Sequence, residues 1–427
     1  MRANTVYGSR PVAHLRVGGE RSGSAVEVAV MAVAFWALVV LATVASLFMA
    51  WALGANSNSP PFAPAIGANA VSTMRAAFLV GVLAVLGAMT QGGAISETIG
   101  ADLVGGVSIT PLAATVGLLT AAGFMALGVY SGYPVPAAFA TTGAMVGVGL
   151  LLGGAPAFDT YQRIGTFWLL VPPMSGGMAY LTAKLLRHED VPEPVGVPLL
   201  AGVVAGVVAN VQLGVIPSPP DQPQSSVAGF VSRVVDAPAP LGVDVAVVAV
   251  SLAFAAVGFL VIRRRTLDSA DRGIRTFLLV LGSIVAFSSG GSQVGLATGP
   301  LENRYGVELG VPGIFPLSLG AAGILAGAWM DAPRLLQGTS REYAQLGLRR
   351  SIAALVPRFV IAQLAIALGI PISFNNIVIS GSSAAGAAGV SRRKIGVTVG
   401  FWLLTLVSSL AVGYGPYLAL STVLGTA

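Results

Sequence analysis

Twelve apolar runs, many of them about twenty residues long, follow one another along this chain with short polar stretches between them. A bilayer's hydrocarbon core is roughly 30 Å thick, and about 20 apolar residues in a helix cross it. Inside lipid every backbone N–H and C=O must pair within the protein, so spans are helices or closed barrels. These runs are not the ten-residue alternations of a barrel. Charge agrees. Charged residues make up 9% of the chain, against roughly 25% in soluble domains. With 55% hydrophobic residues and a mean hydropathy of +0.83, the chain lacks the polar surface that water demands. The expectation is an all-α integral membrane protein of about 10–12 helical segments, multi-pass and in the cell membrane.

The same composition excludes much. There are no cysteines, hence no disulfide or thiolate metal site. The two histidines, His14 and His188, lie in charged segments. No Ser/His/Asp set or metal-ligand spacing is present, so no enzyme, cofactor or metal is expected. The net charge of +6 sits in loops, where Lys and Arg set orientation, and does not point to nucleic acid. Stretch 263–275 holds five Arg against two Asp, and Arg392, Arg393 and Lys394 are consecutive; both loops are read as cytoplasmic. No charge follows Lys394, which suits one long final helix. The 55 glycines suit helices that approach closely.

Four regions follow: a polar leader 1–28, a first transmembrane repeat 29–216, a connection 217–242 and a second repeat 243–427. The connection is rich in Pro, Ser and Gln. The repeat rests on two pairs of elements. Gly54-Ala55-Asn56-Ser57 precedes Gly290-Gly291-Ser292-Gln293 by 236 residues, and Pro134 of Gly132-Tyr133-Pro134 precedes Pro371 of Gly369-Ile370-Pro371 by 237. Duplicated halves with broken helices near the membrane centre are a recurrent transporter plan, so two inverted repeats with re-entrant or broken helices are expected.

These elements carry the polar chemistry. A helix interrupted by Gly and Pro exposes backbone N–H groups, and the helix N-terminus that follows favours an anion. Asn56, Ser57, Ser292 and Gln293 add side-chain oxygens and amides there. Beyond Pro371, Ser373 is a fitting N-cap, with Asn375 and Asn376 in the next turn. In the first half the counterpart 136–139 is apolar, and Thr141 and Thr142 are expected to bond back to their own helix. Glu97 and Asp102 read as loop residues. Glu302 follows Gly299-Pro300-Leu301 and is the candidate proton carrier, since intramembrane acids are functional candidates by default.

The motifs resemble those of the inorganic phosphate transporter family over roughly 48–413. That family's first signature reads Gly-Ala-Asn-Asp-x-Ala-Asn and occurs twice. Gly54-Ala55-Asn56 matches its opening, Gly290 matches again, and Gly299-Pro300-Leu301 matches the second ending. The other signature, Gly-x-Pro-Val-Ser-Thr-Thr-His before a glycine-rich helix, is similar to Gly132-Tyr133-Pro134-Val135 with Gly143-Ala144-Met145-Val146-Gly147-Val148-Gly149, and to Gly369-Ile370-Pro371-Ile372-Ser373. The resemblance implies a secondary transporter moving inorganic phosphate between two inverted repeats, with sodium or protons as coupling ion. One similar branch moves sulfate. In the family two aspartates hold sodium; here Ser57 and Gln293 stand in their places, so this is a divergent member.

The expected substrate contacts are therefore Asn56, Ser57, Ser292, Gln293, Ser373, Asn375 and Asn376. The expected partners are phosphate or a similar oxyanion, H+ or Na+, membrane lipids and a second copy in a homo-oligomer. A sulfate or other oxyanion permease is the alternative of the same class. A membrane channel or non-transporting scaffold is the alternative of another class, though a scaffold has no need of matched polar elements in two halves.

Overall fold

The computed structural model describes residues 20–57, 60–67, 69–131, 135–188, 190–219, 224–236, 238–307, 309–346, 348–373 and 392–424. Fourteen α-helices lie among them: α1 Glu20–Ser57, α2 Ala63–Gly67, α3 Thr73–Gln91, α4 Gly93–Glu97, α5 Pro111–Ser131, α6 Ala137–Leu151, α7 Phe158–Arg187, α8 Glu193–Val208, α9 Val227–Val235, α10 Val245–Asp268, α11 Ala270–Val307, α12 Ile314–Leu346, α13 Leu348–Ala367 and α14 Arg392–Leu424. A π-helical turn, Thr98–Asp102, extends α4, and β1 (Val104–Gly105) pairs antiparallel with β2 (Ala155–Pro156). Six helices among the described residues are long and apolar enough to cross a membrane. The chain is a multi-pass helical membrane protein.

The break expected after Gly54 is present but later. Helix α1 runs through Gly54 to Ser57, and a 3-10 turn, Pro60–Phe62, leads into α2. The break expected at 290–298 is not there. Helix α11 passes through it without interruption. Ser288, Ser289, Ser292, Gln293 and Thr298 are all buried, so no water competes for their backbone groups, and the helix is the arrangement that satisfies them. Ser288 and Thr298 spend their hydroxyls on carbonyls four residues back, at 2.8 and 3.0 Å. Two further expectations shift. Helix α1 starts at Glu20, inside the polar leader, and the 217–242 connection holds the short helix α9. Ser226 and Asp244 cap α9 and α10, and Ser232 of α9 donates to the Asp244 carboxylate.

Packing follows a pattern that occurs twice. Helix α1 lies on α12 and α5, as α11 lies on α3 and α13; α5 meets α14, as α13 meets α7; α3 meets α12 and α1 meets α11. Exchanging α1 with α11, α3 with α12, α5 with α13 and α7 with α14 leaves this set unchanged. The glycines repeat it in detail. A Cβ on Gly54 would strike the Ile324 carbonyl, and one on Gly327 the Trp51 carbonyl. In the other pair, a Cβ on Gly290 would strike the Ala84 carbonyl and one on Gly87 the Phe287 carbonyl. Trp51 and Gly54 precede Phe287 and Gly290 by 236 residues; Ala84 and Gly87 precede Ile324 and Gly327 by 240. Each crossing thus brings two backbones together at one glycine from either side, the means by which small residues associate membrane helices.

These contacts leave no room for a side chain. Gly290→Leu is expected to destabilise the protein by about 1–3 kcal/mol, the range for overpacking. Gly123→Ala, where a Cβ meets nothing within 4 Å, is the control. Thermal unfolding in detergent compares them; equal melting of Gly290→Leu and wild type would show that α3 and α11 do not depend on that approach.

Candidate functional site

Helix α13 ends in a Schellman cap. Gly369 takes φ +62°, its N–H reaches the Ile366 carbonyl at 3.0 Å, and Ile370 N–H reaches Ala365 at 2.8 Å. Left-handed φ is open to glycine without penalty, which is why the helix stops there. Residues 370–373 then run without helix and are wholly buried. Their buried carbonyls need donors. Trp168 Nε1 of α7 donates to Pro371 O at 2.7 Å. Gln293 Nε2 of α11 donates to Ile372 O at 3.2 Å. Ser373, 2% exposed, follows at once.

The structure therefore brings Gln293, with Ser292 beside it, to the residue before Ser373, elements about 80 residues apart in sequence. Ser292 Oγ bonds the Ser289 carbonyl at 3.2 Å. Gln293 is fully buried, and its Oε1 has no hydrogen-bond partner among the described residues. Because Nε2 is committed to a carbonyl, the amide orientation is fixed by that bond rather than chosen freely. Asn56 and Ser57 end α1, and their side chains lie outside the described residues. Asn375 and Asn376 lie outside them altogether.

Glu302 sits near the end of α11, opposite α4 and its π turn. Ser96 Oγ of α4 lies 3.3 Å from Thr298 Oγ1, one turn before Glu302. The Glu302 carboxylate oxygen Oε2 is buried without a partner among the described residues. Glu97 and Asp102 are exposed, as expected, but they lie in α4 and its π turn rather than in a loop. The expectation for Thr141 and Thr142 is not met: both are buried, and neither hydroxyl has a partner among the described residues.

Sequence reasoning missed a second polar layer. Gln91 Nε2 donates to Gln363 Oε1 at 3.0 Å and to the Gln212 carbonyl at 3.2 Å, while Gln363 Nε2 donates to Ser288 Oγ at 2.6 Å. It ties α3, α11 and α13 together. Arg358, 1% exposed in the middle of α13, was also missed. Its signal was visible, a charged residue inside the apolar run 352–368.

Packed, membrane-length helices around a buried, mostly neutral polar seam define a multi-pass helical membrane protein. A family model described as the phosphate transporter family matches residues 53–413, and the chain belongs to that family. The inorganic phosphate transporter 2-1, chloroplastic, of Arabidopsis thaliana is 25% identical over 421 residues, covering 86% of this chain and 70% of that protein. A solved structure described as the sodium-dependent phosphate transporter shares the fold, with a TM-score of 0.73 at 22% identity over 90% of this chain and 99% of that one. The resemblance read from the motifs is borne out.

Both gripped carbonyls are open to test. Trp168→Phe keeps a ring against Phe139 but removes the donor to Pro371, and Gln293→Leu removes the donor to Ile372. Each is expected to cost about 1–3 kcal/mol, the penalty for a buried group left unpaired. The double variant should be non-additive, since both act on adjacent peptides. Thermal unfolding in detergent measures this; melting unchanged in both singles would mean the carbonyls find other donors.

Proposed function

We propose that this chain is a permease that moves inorganic phosphate across the membrane by alternating access between two inverted repeats, residues 29–216 and 243–427. The observation that carries the reading is that the matched family region, 53–413, contains the buried junction where Gln293 meets 370–373. The exchangeable helix pairs support the repeat. Asn56, Ser57, Ser292, Gln293, Ser373, Asn375 and Asn376 are assigned to substrate in this reading.

Phosphate is favoured over sulfate by one atom. Gln293 Oε1 is a buried acceptor without a donor. Phosphate near neutral pH carries P–O–H groups that donate to such an oxygen; sulfate carries none. A site built to bond a substrate hydroxyl rejects the analogue that lacks it. Arg358 is an arginine buried inside the bundle, and intramembrane ionisable residues are functional candidates by default.

Coupling follows from what replaces the family's aspartates. Ser57 and Gln293 offer neutral oxygens only, and a sodium ion in low dielectric is held less well without negative charge. Weak sodium dependence, with proton coupling or facilitated diffusion in its place, is the consequence. Glu302 is the proton carrier in this reading, its Oε2 buried without a partner among the described residues.

Uptake of radiolabelled phosphate and sulfate into proteoliposomes, with sodium and pH gradients imposed separately, tests these points. Phosphate uptake that responds to pH more than to sodium is expected, with little sulfate uptake. Steep sodium dependence without a pH response would reject the coupling reading, and sulfate moved as well as phosphate would reject the role of Gln293. Ser57→Asp combined with Gln293→Asp should increase sodium dependence. Arg358→Gln should lower phosphate uptake more than protein abundance, with part restored in Arg358→Lys; uptake unchanged in Arg358→Gln would remove the charge from the mechanism.

A further inference from the structure

Helix α10 is the least buried of the six membrane-length helices among the described residues. One side of it packs on α8 and α11. The other side presents Leu252, Val257, Leu260 and Leu267, all exposed. Residues three and four apart share one face of a helix, so Val257, Leu260, Arg264 and Leu267 form a single row, and an exposed arginine stands in the middle of an apolar surface.

Length sets the depth of that arginine. The start of α10 is fixed by Asp244, whose carboxylate accepts from Val247 N at 3.0 Å. Between Val245 and Ile262 there is no charged residue. At 1.5 Å per residue this stretch is roughly 27 Å long, close to the hydrocarbon core of a bilayer at roughly 30 Å. Arg263, Arg264 and Arg265 therefore begin where the hydrocarbon ends. The chain then turns at once: Ser269 alone separates α10 from α11. A Cβ on Gly273 would strike the Thr266 side chain, so the first turn of α11 lies against the last turn of α10. Arg272 and Arg275 are thereby brought to the same corner.

The acids nearby do not neutralise this charge. Asp271 is taken by Arg275 at 2.7 Å, and Glu193, at the start of the neighbouring α8, is taken by Arg349. Asp268 is exposed and forms no ion pair among the described residues. Arg263, Arg264, Arg265 and Arg272 are exposed, and none has an acidic partner among the described residues. Arg263 lies over the Phe259 ring, 6.0 Å from its centroid. Orientation in the membrane needs only positive charge in the loop. It does not need arginines that continue an apolar row on a rigid helix, with Leu267 exposed beyond them.

We infer that the α10–α11 corner is a binding site for an anionic phospholipid of the cytoplasmic leaflet: Arg263, Arg264 and Arg265 meet the headgroup phosphate, and an acyl chain lies along Leu260 and Val257. Guanidinium groups present paired N–H donors to phosphate oxygens, and clusters of four or more basic residues beside a span hold anionic lipid. A soluble anion would meet the arginines but leave the apolar row unused; a phospholipid engages both.

The full chain in mild detergent is titrated with phosphatidylglycerol or phosphatidylcholine, and bound lipids are counted by native mass spectrometry. Arg264→Gln with Arg265→Gln should weaken phosphatidylglycerol binding about 25-fold, from roughly fivefold per arginine, and leave phosphatidylcholine binding unchanged. Lys184→Gln with Arg187→Gln, which removes two exposed charges from the last turn of α7, should have little effect. Melting within a few degrees of wild type checks the fold of both pairs. A local reporter keeps the test open if the arginine pair misfolds. The chain has no cysteine, so Leu260→Cys carries a single bimane label on the exposed row. In vesicles, phosphatidylglycerol with a nitroxide on its acyl chain should quench that label more than the phosphatidylcholine analogue does, and glycerol phosphate should not abolish the difference. An equal loss of phosphatidylglycerol in the α7 pair, equal quenching by the two lipids, or displacement by glycerol phosphate would each overturn the inference. So would an arginine pair that changes the number of chains per particle and leaves lipid binding as it was, because a second copy would then cover this face.

Discussion

The bundle depends on backbone meeting backbone at four glycines. Where α1 crosses α12 and α3 crosses α11, the axes approach until a carbonyl of one helix occupies the place of a side chain on the other. Lipid gives apolar side chains no reason to leave it for one another, so association rests on such close van der Waals contact and on the few polar bonds inside. The two crossings fix α1, α3, α11 and α12 as a central set. The Gln91–Gln363–Ser288 layer and the junction at 370–373 are positioned from it.

Much of the fold was legible. The apolar runs at 107–130, 167–186 and 352–368 reappear in α5, α7 and α13, because length and hydropathy decide a membrane helix almost alone. The 236-residue spacing was legible too, and it recurs in the glycine contacts. What misled was the meaning of glycine. Gly290 and Gly291 in a polar stretch read as a break, since glycine is a poor helix residue in water. In a packed membrane interior the same residue is what lets a helix stay whole beside another, and α11 runs through.

The site was legible in its ends and not in its centre. Ser292, Gln293 and Ser373 were visible as motif residues, and Gly369 as part of the same motif. Their meeting was not, because a side-chain amide reaching a carbonyl 79 residues away leaves no local pattern. Gln91 and Gln363 sit singly in apolar helices with nothing in spacing to pair them. Arg358 was hidden by the habit of reading arginine as loop. Position within the run, rather than residue type, was the informative signal.

Adjacent peptides at Pro371 and Ile372 are held by donors from two different helices, Trp168 of α7 and Gln293 of α11. A hydrogen bond tolerates only a few tenths of an ångström before it weakens. The dipeptide therefore works like a two-pin clevis: it registers the position of α7 relative to α11, and any slide between them has to unload one pin first. Ser373 hangs from the end of that linkage, so its placement reports the alignment of two helices that it does not belong to.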